Sequence, residues 1–412
     1  MKPHVVILGG GFAGLATARA LERRRDLAVT VVARDNYSLF TPMLPEVASG
    51  AVEPRHIAQP LRVALRSSTF ELGEVTGVDF ERKVVHVGET TTHGTRQVAY
   101  DALVIALGAT TSTHHIPGAD DHTYPLKTLE DATHLRRAIV GMLEFAAPSN
   151  DPEERREALT FVVVGGGFTG VEAAGELRGY VRRILRYYPG IAKDDVRVVL
   201  VAGSDDLLHQ LPKRFGKRAT KMLRARGIDV VLGDQVASVD SGGLTLKSGK
   251  RYASRTIVWS AGVRPVPLLE SLDIPKSEHH AIAVGPDFSV PQRKNVWALG
   301  DCAAIPKPGG GSYPQTAQDA VREGSLLARN IRAALRGHKQ RAFRYKSPGM
   351  MASLGACQGL AELGPGIMIA GFPAWLLWRG YYLSRLPGSG RKVRVALDWF
   401  LNLPFPGDIA SI

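Results

Sequence analysis

A short apolar run, residues 5–8 (VVIL), is followed at once by a glycine cluster at residues 9–14 (GGGFAG). Uninterrupted apolar runs of this length are typical of strands buried in a parallel sheet. Leu15, Ala18 and Leu21 then recur at helical spacing and predict a helix over residues 14–25. A second apolar run at residues 27–33 predicts the next strand. The order of strand, glycine turn, helix and strand predicts a βαβ unit and argues against a secretory signal peptide.

The same order of patterns returns in the middle of the chain. A strand is predicted at residues 161–164 (FVVV), a glycine turn at 165–170 (GGGFTG), then a helix, and a closing strand at 196–201. In GxGxxG turns the glycines permit the tight turn, the approach of a pyrophosphate and close helix–strand packing. Two such turns predict an α/β fold with two Rossmann-like domains, usually for a retained FAD and an exchangeable nicotinamide dinucleotide. The motif glycines are Gly9, Gly11 and Gly14, and then Gly165, Gly167 and Gly170.

Both units lack the acidic residue that commonly binds the ribose hydroxyls at the end of the second strand. The first of these strands ends in Ala33, and Asp35 is a candidate for the same contact from two positions later. The second ends in Ala202, and no arginine follows immediately to hold a 2′-phosphate. Asp205 and Asp206 would repel such a phosphate. The sequence therefore favours NADH and leaves NADPH open.

Composition narrows the function classes. The chain has 412 residues, a formal net charge of +13 and two cysteines, Cys302 and Cys357. Two widely separated cysteines exclude a disulfide scaffold, a CxxC redox pair and a four-cysteine zinc site. Two pairs of adjacent histidines, His114-His115 and His279-His280, occur in polar, loop-like stretches, where adjacent side chains point apart, so no metal site is predicted. No apolar run reaches the length of a membrane-spanning helix.

The positive charge fits nucleic acid, an anionic membrane surface or an anionic substrate. The basic clusters at residues 23–25 and 213–221 have no interleaved aromatic residues. They are therefore interpreted as solvated helix faces, and no nucleic-acid partner is predicted.

The C-terminal segment, residues 341–412, contains three of the five tryptophans. Tryptophan, arginine and an apolar helical stripe together favour a membrane surface. The alternative is a helix packed on the core or on a second subunit. The stripe consists of Val393, Ala396, Leu397, Phe400 and Leu401.

Seven further segments occur in a characteristic order: residues 40–50 (FTPMLPEVASG), 100–108 (YDALVIALG), 126–128 (LKT), 170–177 (GVEAAGEL), 260–265 (SAGVRP), 296–303 (VWALGDCA) and 316–324 (TAQDAVREG). With the glycine turns, this order resembles the type II NADH:quinone oxidoreductases, which are single-subunit NADH dehydrogenases that do not pump protons. The glycine turns are shared by all two-dinucleotide flavin reductases, whereas the PMLPEVA and TAQ segments are closer to this one family. The resemblance implies FAD, NADH, a quinone, a homodimer and a peripheral position on the cytoplasmic face of the cell membrane.

The resemblance also implies the site residues. Glu172 would lie beside the nicotinamide and the flavin, and Gln318 follows Ala317 in the pair near which quinone stacks. These two, Glu172 and Gln318, are the catalytic candidates. The first three motif glycines would hold the FAD pyrophosphate, Asp301 would bind the ribityl chain, and the second three would hold the NADH pyrophosphate. The cofactor-binding candidates are Gly9, Gly11, Gly14, Gly108, Asp301, Ala317, Gly165, Gly167, Gly170 and Gly262.

Two local patterns bear on the chemistry. Thr316 and Asp319 have the spacing of a capping box and predict a helix from Thr316 to about Arg332. The positive dipole end at the N-terminus of this helix would stabilise a reduced flavin. The alternative is a capped surface helix. Hydride transfer needs stacked rings rather than a general base, but quinone reduction consumes protons, and Glu172 or bulk water could supply them. The alternative for Glu172 is a first-turn glutamate favoured by the helix dipole.

The predicted domains are an FAD-binding domain of residues 1–118 and 290–340, an NADH-binding domain of residues 119–289, and a membrane or dimer segment of residues 341–412. The leading function is NADH:quinone oxidoreductase. One rival is a flavin-dependent NAD(P)H reductase of a small protein acceptor, and another reduces one biosynthetic naphthoquinone. The rival from another class is an NADH-responsive nucleic-acid-binding flavoprotein. Too few cysteines are present for disulfide or sulfide reduction.

Overall fold

The computed structural model describes residues 2–24, 26–88, 94–347, 349–355, 357–364, 366–402, 405 and 409–410. Its strands are β1 (His4–Leu8), β2 (Ala28–Ala33), β3 (Tyr37–Leu39), β4 (Ala58–Pro60), β5 (Thr69–Leu72), β6 (Glu74–Asp79), β7 (Val84–Gly88), β8 (Thr95–Ala99), β9 (Ala102–Ile105), β10 (Ala109–Thr111), β11 (Tyr124–Pro125), β12 (Thr160–Val164), β13 (Arg197–Val201), β14 (Ile228–Val231), β15 (Val236–Asp240), β16 (Gly243–Leu246), β17 (Arg251–Ala253), β18 (Thr256–Trp259), β19 (Val263–Pro265), β20 (Ile282–Ala283), β21 (Val296–Ala298), β22 (Ala303–Ala304), β23 (Gly349–Ser353), β24 (Gly359–Leu363) and β25 (Ile367–Gly371). The α-helices are α1 (Phe12–Leu21), α2 (Leu44–Ala48), α3 (Leu61–Ala64), α4 (Ala119–His122), α5 (Leu129–Ala146), α6 (Pro152–Leu159), α7 (Phe168–Ile184), α8 (Lys213–Ala225), α9 (Leu268–Ser271), α10 (Ala317–Leu335), α11 (Phe372–Arg385) and α12 (Ser389–Leu401).

The chain divides into two compact units. The first comprises residues 1–39, 58–110 and 264–346, and the second comprises residues 40–57, 111–263 and 347–412. The boundaries predicted from the sequence lie at residues 118, 289 and 340, and that prediction included residues 40–57 in the first domain. These residues cluster with the second unit because α2 packs on α5 and α7. Residues 347–412 join the second unit because β23 packs on α7.

The first unit is built on a five-stranded parallel sheet in the order β21-β9-β1-β2-β5. Strand β1 is central and almost wholly buried, which explains its uninterrupted apolar sequence. The helix predicted to reach residue 25 ends at Leu21. The next residue, Glu22, is the C-cap, and its carboxylate accepts hydrogen bonds of 2.9, 3.0 and 2.9 Å from the backbone N–H groups of Arg66, Ser67 and Ser68.

The second unit repeats this architecture with a parallel sheet in the order β11-β18-β12-β13-β14. Strand β12 is central, fully buried and followed by the second glycine turn. Two antiparallel three-stranded sheets, β15-β16-β17 and β23-β24-β25, complete this unit. The predicted α/β fold with two Rossmann-type sheets is confirmed.

The last two helices expose much of their apolar surface. Helix α12 buries Val395 and Trp399. Val393, Leu397 and Phe400, from the predicted stripe, are exposed instead. In the described part of the chain, no helix combines the length and apolar character needed to cross a membrane.

Candidate functional site

The first glycine turn has the shape of a phosphate cradle. A β-carbon at Gly14 would overlap the carbonyl oxygen of Gly9, so only glycine allows α1 to approach β1 this closely. A β-carbon at Gly11, in contrast, would meet no described atom within 4 Å. Gly11 is also the N-cap of α1 and offers no capping side chain, so the first N–H groups of the helix stay available to an anion. These residues fit a dinucleotide pyrophosphate.

A turn containing Gly300 and Asp301 lies at the same end of α1. A β-carbon at Gly300 would lie 3.0 Å from the β-carbon of Ala13, in the first turn of that helix. Glu323 on α10 accepts a 2.9 Å hydrogen bond from the Gly300 N–H and thereby holds the turn. Burial raises the pKa of Glu323 to about 8, with a smaller contribution from the nearby carboxylates of Asp319 and Asp301 and against the opposing effect of the Gly300 hydrogen bond. Asp301 thus belongs to the same cradle.

Helix α10 begins where the capping spacing predicts and ends at Leu335 rather than Arg332. The Thr316 hydroxyl oxygen accepts a 3.2 Å hydrogen bond from the Asp319 N–H. The reciprocal half of the predicted capping box is absent from the described residues. The Thr316 N–H donates instead to the carbonyl oxygen of Pro314 at 2.9 Å. The Asp319 carboxylate accepts from the Thr316 hydroxyl at 2.5 Å.

Ala317 and Gln318 form the half-buried first turn of α10. The Tyr345 hydroxyl donates to Gln318 Oε1 at 3.4 Å, and Arg322 donates to the Gln318 carbonyl oxygen at 3.0 Å. The Arg322 guanidinium carbon lies 4.2 Å from the centre of the Tyr345 ring. Gln318 is therefore held from both its side chain and its backbone.

The second glycine turn repeats the first within the second unit. A β-carbon at Gly170 would overlap the carbonyl oxygen of Gly165, whereas one at Gly167 would have its nearest described neighbour at 4.0 Å. The Ser260 hydroxyl, after β18, donates to the carbonyl oxygen at the end of β12 at 2.9 Å. Gly262 lies so close to His114 that a β-carbon at position 262 would overlap the imidazole ring. The turn fits a second dinucleotide.

The residues expected to face a nicotinamide ribose lie after β13. Ala202 is buried, and Asp205 is exposed. No basic residue follows Ala202 immediately in the chain. In the first unit the corresponding Asp35 is exposed and pairs with Arg34 at 3.5 Å.

Glu172 lies in a buried cluster rather than at a helix end. It is the fifth residue of α7, and the first turn of that helix contains no acidic residue, so the helix-dipole alternative is wrong. Its Oε1 accepts 2.9 Å hydrogen bonds from the Ser353 backbone N–H and from the Trp378 indole N–H. Burial raises the pKa of Glu172 to about 8, against the opposing effect of these two bonds. One turn further along α7, Glu176 accepts a 3.1 Å bond from the Ser353 hydroxyl.

A second buried carboxylate, Glu46 on α2, was not assigned a role from the sequence. It is 2% exposed and receives a 3.2 Å hydrogen bond from the Trp399 indole N–H. Arg379 Nη2 lies 3.5 Å from Glu46 Oε1, and its guanidinium carbon lies 4.0 and 4.5 Å from the ring centres of Trp375 and Trp399. Burial raises the pKa of Glu46 and lowers that of Arg379. The only sequence signal was the position of Glu46 within the PMLPEVA segment.

Cys302 lies in the packed interior of the first unit. The Cys302 thiol is buried and donates to the Leu299 carbonyl oxygen at 3.2 Å, and burial raises its pKa to about 11. Gly108, after β9, lies beside this thiol. Within the described ranges, no group of three or more histidine, cysteine, aspartate or glutamate side chains is suited to a metal ion.

Comparison with known proteins gives concordant results. Residues 3–324 match the family model described as pyridine nucleotide-disulphide oxidoreductase. The chain is 34% identical to the type II NADH:quinone oxidoreductase Ndh of Mycobacterium tuberculosis, over 97% of this chain and 87% of that protein. It is 32% identical to the internal alternative NAD(P)H-ubiquinone oxidoreductase A1 of Arabidopsis thaliana, over 100% of this chain and 86% of that protein. The chain superposes on the structure of NDH2 from Plasmodium falciparum in complex with NADH with a TM-score of 0.91, over 100% of each chain. The two sequences are 21% identical, and the superposition shows a shared fold.

Proposed function

Because the chain belongs to the pyridine nucleotide-disulphide oxidoreductases, and within them to the type II NADH:quinone oxidoreductases, we propose that it oxidises NADH through a bound FAD and reduces a quinone, without proton pumping. The observation that carries this function is the pair of glycine cradles, one in each unit, each with an open glycine at a helix N-terminus. Two dinucleotides require two such cradles.

The first unit is proposed to hold FAD. Gly9, Gly11 and Gly14 would hold its pyrophosphate, and Asp301 would bind the ribityl chain. When bound, FAD accepts a hydride and returns two electrons to a second acceptor. The N-terminus of α10 presents N–H groups and a positive dipole end, which favour negative charge on a reduced ring. Gln318 is proposed as a polar contact for quinone there.

The second unit is proposed to hold NADH. Gly165, Gly167 and Gly170 surround the open end of α7 and would hold the pyrophosphate. The neutral Ala202 and the exposed acid at Asp205 favour the free ribose over a 2′-phosphate. The ratio of kcat/KM for NADH and NADPH tests this preference, and a ratio near one would contradict it.

Glu172 is proposed to hold a proton for quinone reduction. An ordinary glutamate is ionised at neutral pH and has no proton to give. With a pKa of about 8, the Glu172 carboxyl retains its proton at pH 7. Its indole and backbone donors fix the carboxyl orientation.

The test of the proposed function is a visible spectrum of the protein purified in mild detergent without oxygen. A yellow flavin band should bleach with NADH and return with a soluble quinone analogue. Bleaching that only a small redox protein reverses would favour the protein-acceptor reductase. A protein that binds no flavin would refute the proposal.

We also propose that the exposed apolar face of the last two helices contacts the membrane in which quinones dissolve. Val393, Leu397 and Phe400 are 58%, 51% and 67% exposed, a placement that is unfavourable in water and favourable in a bilayer interface. Replacing Leu397 and Phe400 by serine should weaken vesicle binding by at least about 100-fold, since each buried side chain contributes about 1.5–3 kcal/mol. Val63→Ser, an exposed apolar residue of the first unit, is the control. Equal losses in both variants would contradict the assignment.

The homodimer and the cytoplasmic face of the membrane stay predictions. Sedimentation of the detergent-solubilised protein tests the first, and protease accessibility in sealed, oriented vesicles tests the second.

A further inference from the structure

Helix α8 carries a basic face that the proposed function does not use. Its apolar and small residues are buried, namely Phe215, Gly216, Ala219, Thr220 and Leu223. Its cations are exposed, namely Lys213, Arg214, Lys217, Arg218, Lys221 and Arg224. The helix sequence contains no acidic residue. This one-sided arrangement sets α8 apart from a helix face on which charges of both signs alternate.

The charge on α8 is unfavourable for the helix itself. Lys213 and Arg214 lie in the first turn, where the positive end of the helix dipole disfavours cations. Lys217, Arg218 and Lys221 have no acidic partner among the residues that the structure describes. Neighbouring like charges also repel one another. An external polyanion would supply the missing negative charge.

The structure shows what lies next to the basic face. Arg214 Nη2 lies 4.0 Å from the Glu362 carboxylate, on strand β24. Strands β24 and β25 form a hairpin whose end exposes Leu363, Ile367 and Met368. Large exposed apolar residues beside a row of lysine and arginine are typical of a surface that enters a lipid interface.

We propose that the basic face of α8 binds the anionic headgroups of a phospholipid bilayer, while the neighbouring hairpin end enters the apolar boundary. This rests on the proposed function, because a quinone reductase must reach the bilayer. The phosphates of a nucleic acid would complement the charge equally well, but they would offer nothing to Leu363, Ile367 and Met368. A bilayer supplies both the anions and the apolar phase.

The experiment is vesicle flotation of the full-length, FAD-loaded protein. The vesicles contain phosphatidylcholine alone or phosphatidylcholine with phosphatidylglycerol. The variant replaces Lys217, Arg218 and Lys221 by glutamine, which suits an exposed helix. Each cation near an anionic surface increases the affinity for that surface about fivefold. The triple variant should therefore bind the phosphatidylglycerol vesicles about 100-fold more weakly. Binding to phosphatidylcholine alone should be unchanged, and so should NADH oxidation by a soluble quinone.

A matched control removes three exposed cations from the first unit through Arg23→Gln, Arg24→Gln and Lys307→Gln. If this control loses as much vesicle binding as the α8 variant, overall charge is responsible and the assignment to α8 is overturned. Binding of the unmodified protein that does not depend on phosphatidylglycerol overturns it too.

Two further outcomes separate this inference from its alternatives. Binding of duplex DNA that depends on the three α8 residues, with no vesicle binding, would replace the lipid by nucleic acid. If the unmodified protein reduces no quinone but the α8 variant still loses its vesicle binding, the proposed function fails and the lipid site on α8 stands.

Discussion

Replacing Glu172 by glutamine should separate the two halves of the reaction. The carboxyl is buried, and its pKa of about 8 leaves it about nine-tenths protonated at pH 7. Glutamine is the same size, and its amide oxygen can accept the same bonds from Ser353 and Trp378. It has no acidic proton to release. Because a positioned general acid typically contributes at least about 100-fold, the quinone step should slow by about that factor, and hydride transfer from NADH should keep its rate.

Anaerobic stopped-flow absorbance measures the two steps separately. The quinone step of the unmodified enzyme should be constant below about pH 7 and fall about tenfold per pH unit above about pH 8. In Glu172→Gln this pH dependence should disappear. The control is Glu176→Gln, one helical turn away and equally buried. Unchanged rates in both half-reactions would refute the proton role, and equal slowing of both would indicate that Glu172 only positions its neighbours.

The same substitution changes stability in a direction that the pKa determines. Burial raises the pKa of Glu172 in the folded protein from the ordinary 4.5 of a glutamate to about 8, so the neutral carboxyl is the form that folding favours. Its contribution is complete below pH 4.5 and is lost as the pH rises towards 8. Glu172→Gln should therefore be about 3 kcal/mol more stable than the unmodified protein at pH 7 and equally stable below pH 4.5. Denaturant unfolding at several pH values measures this, and a constant difference would contradict the buried, protonated carboxyl.

Three further predictions concern single residues. Gly14→Ala should abolish FAD retention, because the added β-carbon would overlap a backbone oxygen, whereas Gly11→Ala should leave the apoprotein stable and weaken only FAD binding. Flavin content and thermal unfolding distinguish the two variants, and equal effects of both substitutions would contradict the proposed phosphate cradle. Trp378→Phe removes a hydrogen bond that lowers the pKa of Glu172. The pH midpoint of the quinone step should therefore rise by about half a unit to one unit, and a lower midpoint would refute this role of Trp378. Cys302 should not react with thiol reagents at pH 8 in the native protein, because burial raises its pKa to about 11; rapid labelling would be inconsistent with the packed site.

Most of the framework could be predicted from local sequence. Strands β1 and β12 are buried on both faces and therefore have uninterrupted apolar sequences. These runs and the glycines that follow them can be recognised without knowledge of any residue elsewhere in the chain. The start of α10 could be predicted because a cap depends on residues three apart, Thr316 and Asp319. The contact at the end of α1 could not, because the Glu22 carboxylate binds backbone N–H groups 44 to 46 positions later in the chain.

The buried acids show the limit of local patterns. Glu46 and Arg379 lie far apart in sequence, and neither residue indicates its partner. Only the packing of α2 and α11 within one unit brings them together and removes them from water, which sets the direction of their pKa shifts. Glu172 was identified through resemblance, but its protonation depends on burial by the C-terminal segment.

The sequence by itself determined the two nucleotide folds, the glycine cradles and the apolar stripe of α12, because each follows from the period of a strand or helix or from the size of glycine. It did not determine what covers the stripe. A period of 3.6 places Val393, Leu397 and Phe400 on one face, but the same pattern serves a helix buried in a core. Only the tertiary structure decided that α12 buries Trp399 and leaves that face exposed, because the side on which a helix docks depends on the surface that the rest of the fold provides.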